Sequence, residues 1–387
     1  MFHFTALPPL SLYIHLPWCV SKCPYCDFNS HEIKGTIPER AYVDALIADL
    51  EQDLPAIWGR SVDSVFIGGG TPSIFSPQVI DYLLSQLRAL LALPATAEIT
   101  LEANPGTVEA GRFAEFRAAG INRLSIGIQS FNDEMLAILG RIHDGHQAFT
   151  AVETAYAAGF DVLNLDLMYG LPGQNVGHAL ADLDRAISFG TAHLSHYQLT
   201  IEPNTRFAHT PPVLPDDDKT WEMQLRCQER LSEAGFENYE VSAYARADRH
   251  CQHNLNYWRF GDYLGIGAGA HAKISNAQTQ AIVRSSKLRH PRDYLANANS
   301  PERIANEHVL TRHEAGFEFM LNAMRLTEGF SVPLFAQHTG LPLSIMETPL
   351  RHAEAKGLIE RDMHTIRPTP LGRRFLNDLT ALFLPQY

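Results

Sequence analysis

Tyr-Ile-His-Leu-Pro-Trp-Cys-Val-Ser-Lys-Cys-Pro-Tyr-Cys-Asp-Phe, residues 13 to 28, holds three of the chain's five cysteines. Cys19, Cys23 and Cys26 are spaced C-x3-C-x2-C, close enough for their thiolates to converge from one loop on a single inorganic centre. An iron–sulfur cube held by three thiolates keeps one iron open to a further ligand, which suits this spacing. A closed Cys3His zinc site completed by His15 or His31 is the alternative. A disulfide is disfavoured: an odd cysteine cluster, with no basic-then-apolar leader before it, reads as reduced and intracellular.

Outward from this loop the pattern alternates between short β-rich runs and helical segments. Strands are expected at Ser11–Leu16, Ser64–Ile67, Glu98–Ala103, Arg123–Ile128, Val162–Leu167 and His196–Thr200. Helices are expected at Glu39–Leu54, Pro77–Leu91, Val108–Ala119, Asp133–Ile138, His146–Ala158 and Gly177–Ser188. Strand–helix alternation of this kind demands right-handed crossovers and a parallel sheet, either a barrel or an open part of one.

Composition narrows the function. The 387 residues allow one large domain and one or two smaller ones. A formal charge of −12 argues against nonspecific nucleic-acid binding. The apolar run at Leu83–Leu93 is broken by Gln86 and Arg88 and is too short to span a bilayer. A cytoplasmic location is therefore expected, and the eighteen histidines slightly favour contact with a metal or heme.

In parallel α/β sheets, ligand contacts collect at the carboxyl ends of the strands. Gly68-Gly69-Gly70-Thr71-Pro72 follows the second expected strand, Glu102-Ala103-Asn104-Pro105 closes the third, Gly127-Ile128-Gln129-Ser130-Phe131 the fourth, and Asp166 to Gly173 the fifth. Together with the cysteine loop they form one mouth. The cysteine spacing with Tyr25 before the last cysteine, and the glycine-rich motif, resemble the radical S-adenosylmethionine (SAM) superfamily. The E-x-N-P, G-I-Q-S-F and L-D-L-x-Y-G-L-P-G motifs are similar to its oxygen-independent coproporphyrinogen III oxidase branch. That resemblance implies a 4Fe–4S cluster on Cys19, Cys23 and Cys26. It also implies SAM contacts at Tyr13, Tyr25, Gly69, Gly70, Thr71, Glu102, Gln129, Arg141 and Asp166. Arg141 would pair with the SAM carboxylate, and the two acids would accept from its amine or ribose hydroxyls.

Beyond Glu202 a Pro-rich, acidic stretch marks a boundary, and Asp216 to Asp218 can cap a helix from Lys219 to Ala234. His253-Asn254-Leu255-Asn256-Tyr257-Trp258 then fits H-N-x-x-Y-W. An imidazole among flat aromatic walls suits a porphyrin, and an aromatic turn packed on the barrel edge would give the same composition. The motif resembles the signature of the HemW-type heme chaperones, relatives of the coproporphyrinogen oxidases. It implies heme at His253, Asn254, Tyr257 and Trp258, with transfer to acceptor proteins, respiratory ones among them, at the inner face of a membrane, and a homodimer as one of the states open to it. Two departures from the oxidases agree with this: Phe28 stands where they carry a further cysteine, and their amino-terminal extension is missing. An oxidase reading stays open, as does a zinc-stabilised regulator. The segment Tyr263 to His271 alternates small residues and allows close backbone approach.

Past Ser300-Pro301 the pattern turns helical: Glu314–Leu326, Ser331–His338, Leu343–Lys356, a hairpin from Leu358 to Pro368, and Leu371–Leu382. Three helices and a hairpin resemble a winged helix, read here as a lid or docking element. The expected fold class is α/β, a partial (β/α)6 radical SAM barrel with a small α+β winged-helix-like C-terminal domain. The expected units are residues 1–208, 209–298 and 299–387, the middle one extending the barrel.

Overall fold

Alternation along the strands decides the architecture. β1 (Leu10–Leu16) sends Leu10, Leu12, Ile14 and Leu16 into a buried apolar layer, while Ser11, Tyr13 and His15 face the other way. The same division recurs in β2 (Val62–Gly69), β3 (Glu98–Ala103), β4 (Arg123–Gln129), β5 (Leu163–Tyr169) and β6 (His193–Gln198). One face thus excludes water against helices and the other is left polar. The computed structural model describes residues 2–106 and 111–385.

The covering helices are α1 (Glu39–Ile57), α2 (Pro77–Leu90), α3 (Phe113–Ala119), α4 (Asp133–Ile138), α5 (Gly145–Ala157) and α6 (Val176–Ser188). Their starts follow local chemistry: Asp144 and Gln147 form a capping box on α5, and the Asn175 side chain accepts from the His178 amide on α6. Residues 107–110, where the helix expected from Val108 would begin, lie outside the described residues.

The middle of the chain adds α7 (Asp217–Glu233), capped by Asp216, then β7 (Glu237–Glu240), β8 (Ala243–Ala245) and the short α8 (Gln252–Trp258). Four more strands follow: β9 (Asp262–Ile266), β10 (His271–Asn276), β11 (Ala281–Lys287) and β12 (Ile304–Val309). Among the described residues the sheet has twelve strands in the order β12-β11-β10-β9-β1-β2-β3-β4-β5-β6-β8-β7. β9 joins β1 in parallel, and the strands beyond it are antiparallel. The parallel core therefore carries a seventh strand, and the sheet is an open one. It continues to Val309, past residue 298 where the sequence places the last boundary. Paired backbone from Val283↔Val309 to Lys287↔Ile304 holds that strand although its side chains are mostly exposed.

A second apolar core lies under α9 (Arg312–Ala323), α10 (Val332–Thr339) and α11 (Glu347–Ala355). Beside them β13 (Phe330–Ser331), β14 (Ile359–Arg361) and β15 (Thr365–Pro368) pair in the order β13-β15-β14. This is the expected helix-and-hairpin unit with one extra strand. The last helix is interrupted at Phe375, between Pro370–Arg374 and Leu376–Ala381. Among the described residues no helix is long and apolar enough to cross a membrane.

The joint between the middle strands and the barrel is ionic. Lys287 Nζ donates to Asp49 and Asp53, both at 2.6 Å, and Arg303 Nε donates to Asp49 at 2.8 Å. Tyr294 adds a hydrogen bond to Asp49 at 2.7 Å. Two acids and two bases balance inside the protein, which is what makes burying them tolerable.

Candidate functional site: two adjoining cavities on the inner face

The cysteine loop and the glycine-rich turn after β2 are built on each other. The Gly70 amide donates to Leu16 O at 2.8 Å and the Thr71 amide to Trp18 O at 2.7 Å. A methyl group at Gly70 would run into the Trp18 backbone, so only glycine permits this approach. Thr71 Oγ1 donates to Cys19 Sγ at 3.6 Å, and Cys26 Sγ lies 3.8 Å from Ser30 Oγ.

Cys19, Cys23 and Cys26 line a cavity of about 360 Å3 with Tyr25, Gly69, Gly70, Thr71, Glu102, Gln129, Arg141 and Asp166. Every residue that the sequence assigns to the cluster and SAM except Tyr13 borders this one space. Tyr13 borders the next cavity instead, where its hydroxyl lies 3.0 Å from His15 Nδ1.

The donor set fits a cluster better than one zinc ion. Among the described residues no three His, Cys, Asp or Glu groups gather around a point suited to a single metal. His15 is engaged at both ring nitrogens, by Tyr13 and by Asn29 O at 2.8 Å, and His31 packs edge-on against His290. Three thiols spread around a cavity match a cube whose irons each take one of them. Burial raises the Cys19 and Cys26 thiols above their ordinary range, so metal binding must displace their protons.

Around the thiols the polar groups are fixed. Arg141 donates to Asn104 Oδ1 at 2.7 Å, to Gly127 O at 2.8 Å and to Cys23 Sγ at 3.5 Å, while its Nε is buried without a partner. Gln129 sits at φ 68°, left-handed backbone that a non-glycine residue rarely adopts, beside an irregularity in the β4–β5 pairing. It accepts from the Tyr197 hydroxyl at 2.6 Å. Ser125 and Asn164 donate to Asp166 at 3.1 and 2.7 Å. Burial raises the Asp166 carboxyl, and burial followed by the Asp166 charge pushes Glu102 up to about 7. Two inward acids with elevated pKa values and a cation across the cavity suit a zwitterionic ligand with amine and carboxylate ends.

Sequence reasoning left Asn104 and Tyr197 out of the site. Asn104 was visible as the polar member of E-x-N-P. Tyr197 could have been found from the alternation in H-L-S-H-Y-Q, which puts it on the inner face with Ser195.

Glu102, Gly69 and Phe28 also border a second, larger cavity of about 1040 Å3. Its walls include Tyr13, His253, Tyr257, Tyr263, His271 and Arg284. H-N-x-x-Y-W forms α8, whose i, i+4 spacing puts His253 and Tyr257 on one face toward this cavity. Asn254 and Trp258 are about 100° further round the helix and do not border it. Trp258 packs instead with Leu255 and Leu326 beneath Arg325, whose guanidinium carbon is 4.3 Å from the ring centroid. Glu98 holds the start of α8, accepting from the Gln252 and His253 amides at 3.1 and 3.0 Å and from the Cys251 thiol at 3.4 Å. Cys251 is fully buried there and does not border the cavity. Burial, then Arg123, pushes His253 down to about 3, so its imidazole is neutral.

Comparison with known proteins bears on the family and the fold. Residues 13–186 match the Radical SAM superfamily and residues 310–375 the HemN C-terminal domain. The chain is 48% identical over 380 residues to the heme chaperone HemW of Escherichia coli, covering 98% of this chain and 99% of that protein. It is 33% identical over 380 residues to the Bacillus subtilis heme chaperone HemW, at 97% and 99% coverage. In fold it is similar to coproporphyrinogen III oxidase (HemN) from Escherichia coli, described as a radical SAM enzyme. The TM-score is 0.82 at 24% identity, over 97% of this chain and 90% of the other.

Proposed function

This chain belongs to the HemW family of the radical SAM superfamily, and on that footing we propose that it is a heme chaperone. The observation that carries the reading is the second cavity: His253 and Tyr257 border a space large enough for a tetrapyrrole, with Tyr13 and Tyr263 as flat walls. A neutral imidazole is the form that ligates iron, and no proton has to leave His253 at physiological pH for it to do so.

In this reading Cys19, Cys23 and Cys26 hold a 4Fe–4S cluster. In the rest of the first cavity Arg141 would hold the carboxylate of SAM, and Glu102 and Asp166 its amine or ribose. A reduced cluster with SAM bound supplies one-electron chemistry. The chain's own part is to keep Arg141 aimed through Asn104 and Gly127 O and to exclude water. Tyr13, which the resemblance gives to SAM, borders the second cavity, and in this reading it serves as a wall of the heme site. Trp258, packed on Leu255 and Leu326, supports the helix that carries His253.

Heme held so would be released to acceptor proteins, with respiratory hemoproteins the class the family suggests and a cytoplasmic donor working at a membrane's inner face. Dimerisation could accompany cluster binding.

The test is an anaerobic titration of the reconstituted protein with hemin, followed by its Soret band, beside an assay for coproporphyrinogen III consumption with SAM and a reductant. Stoichiometric heme binding without turnover is expected. Conversion of the porphyrinogen would overturn the chaperone reading.

A further inference from the structure

His253 is not presented to the cavity by its helix alone. Its Nδ1 lies 3.1 Å from Ser64 Oγ on β2, and Ser64 donates its own hydroxyl proton to Ser11 Oγ on β1 at 2.8 Å. Ser11 also accepts from Asn256 Nδ2 at 2.8 Å. The orientation of Asn256 is fixed because the same nitrogen donates to Asp262 O, also at 2.8 Å. With its hydroxyl proton committed to Ser11, Ser64 offers His253 only a lone pair. The proton of the imidazole is thereby drawn to Nδ1. Nε2 makes no hydrogen bond among the described residues, and the residue borders the second cavity.

We propose that Ser64, backed by Ser11 and Asn256, is a positioning residue that fixes His253 in the Nδ1–H tautomer and so turns the Nε2 lone pair toward the second cavity as the ligand for heme iron. The proposal rests on the heme reading above and adds the device that readies the ligand before heme arrives. Groups that bond the far nitrogen of a ligating histidine set its tautomer, ring orientation and basicity, and losing one costs about 10- to 100-fold in metal affinity. The arrangement spans three separate stretches of chain: Ser11 on β1, Ser64 on β2, and His253 with Asn256 on α8. Neither serine belongs to H-N-x-x-Y-W, and both stand on the polar inner face at the amino-terminal end of their strands. Phe66, two residues on from Ser64 on the same face, packs its ring 5.1 Å from the imidazole and limits rotation out of this pose.

Full-length protein carrying ring-15N histidine separates the steps. In the heme-free wild type, the resonance lost in His253→Ala should show protonated Nδ1 and bare Nε2. In Ser64→Ala it should shift toward the other tautomer. Hemin affinity should fall about tenfold or more in Ser64→Ala and recover in Ser64→Thr, which restores a hydroxyl, with iron and sulfide of the cluster unchanged throughout. If Ser64→Ala keeps both the wild-type tautomer and hemin affinity while His253→Ala loses heme, the proposal is overturned and the heme reading stands. If His253→Ala binds hemin as the wild type does, the seat itself is wrong and the proposal falls with it.

Discussion

Glu102 accepts the Gly69 amide at 3.1 Å at the wall shared by the cysteine-lined and the histidine-lined cavities. Burial, then the Asp166 charge, lifts this carboxyl to about 7 from an ordinary 4.5, against the lowering effect of the Gly69 hydrogen bond. Below the lower value it is protonated in both folded and unfolded chains and contributes nothing. Between the two, the folded protein holds a proton that the unfolded chain has released, so stability falls as pH rises and levels off above the upper value. Glu102→Gln removes that loss. The variant should gain on the wild type by about 2 kcal/mol between mildly acidic and mildly alkaline buffer. Urea unfolding at the two ends of the window measures this, and a constant difference between the proteins would contradict it.

Replacement of Cys19, Cys23 or Cys26 by Ala should abolish the cluster, because two thiolates cannot hold the cube. Gly70→Ala should leave substoichiometric iron and sulfide, since the added methyl pushes the Trp18 backbone and with it Cys19. Cys227→Ser is the control: this thiol is buried in the α7 packing, away from the cavity, and the variant should reconstitute fully. Iron and sulfide analysis reads all of these.

Arg141→Met should weaken SAM binding by about 10- to 100-fold, as expected for loss of one charge-assisted contact. Equilibrium binding to the cluster-loaded protein is the measurement. Wild-type affinity in the variant would separate Arg141 from the ligand's carboxylate and leave it only its bonds to Asn104, Gly127 and Cys23.

Lys287→Met should cost about 3–5 kcal/mol in unfolding free energy, because it leaves Asp49 and Asp53 facing Arg303 alone inside the protein. Denaturant unfolding tests the magnitude. A loss well under 1 kcal/mol would mean that water reaches this joint.

Much of the first cavity could be read from the chain because its residues sit at fixed places: one loop of cysteines and the ends of successive strands. Six strands were visible because L-S-L-Y-I-H-L and its counterparts alternate so regularly. The antiparallel strands beyond β9 were not. H-A-K-I-S-N buries its lysine against Asp262 (Lys273 Nζ to Asp262, 2.9 Å), and I-A-N-E-H-V is an exposed edge held by backbone pairing. In neither does hydrophobic pattern report the strand. The second cavity was hidden for a related reason: its walls come from β1, α8 and those strands, and only H-N-x-x-Y-W advertised it. Within that motif, the helical turn separates His253 and Tyr257 from Asn254 and Trp258, a distinction that a list of conserved-looking letters does not make.

The two faces of the sheet have consequences for how such a protein can change over generations. Cohesion of the barrel comes from the leucines and isoleucines under the helices, which touch neither cavity. Inner-face positions such as Ser11, Ser64 and Ser125 contribute hydrogen bonds and shape but little apolar area. Exchanging them redirects what the interior binds while the scaffold keeps its hold, so a lineage can trade one cargo or chemistry for another without first having to survive an unfolded intermediate.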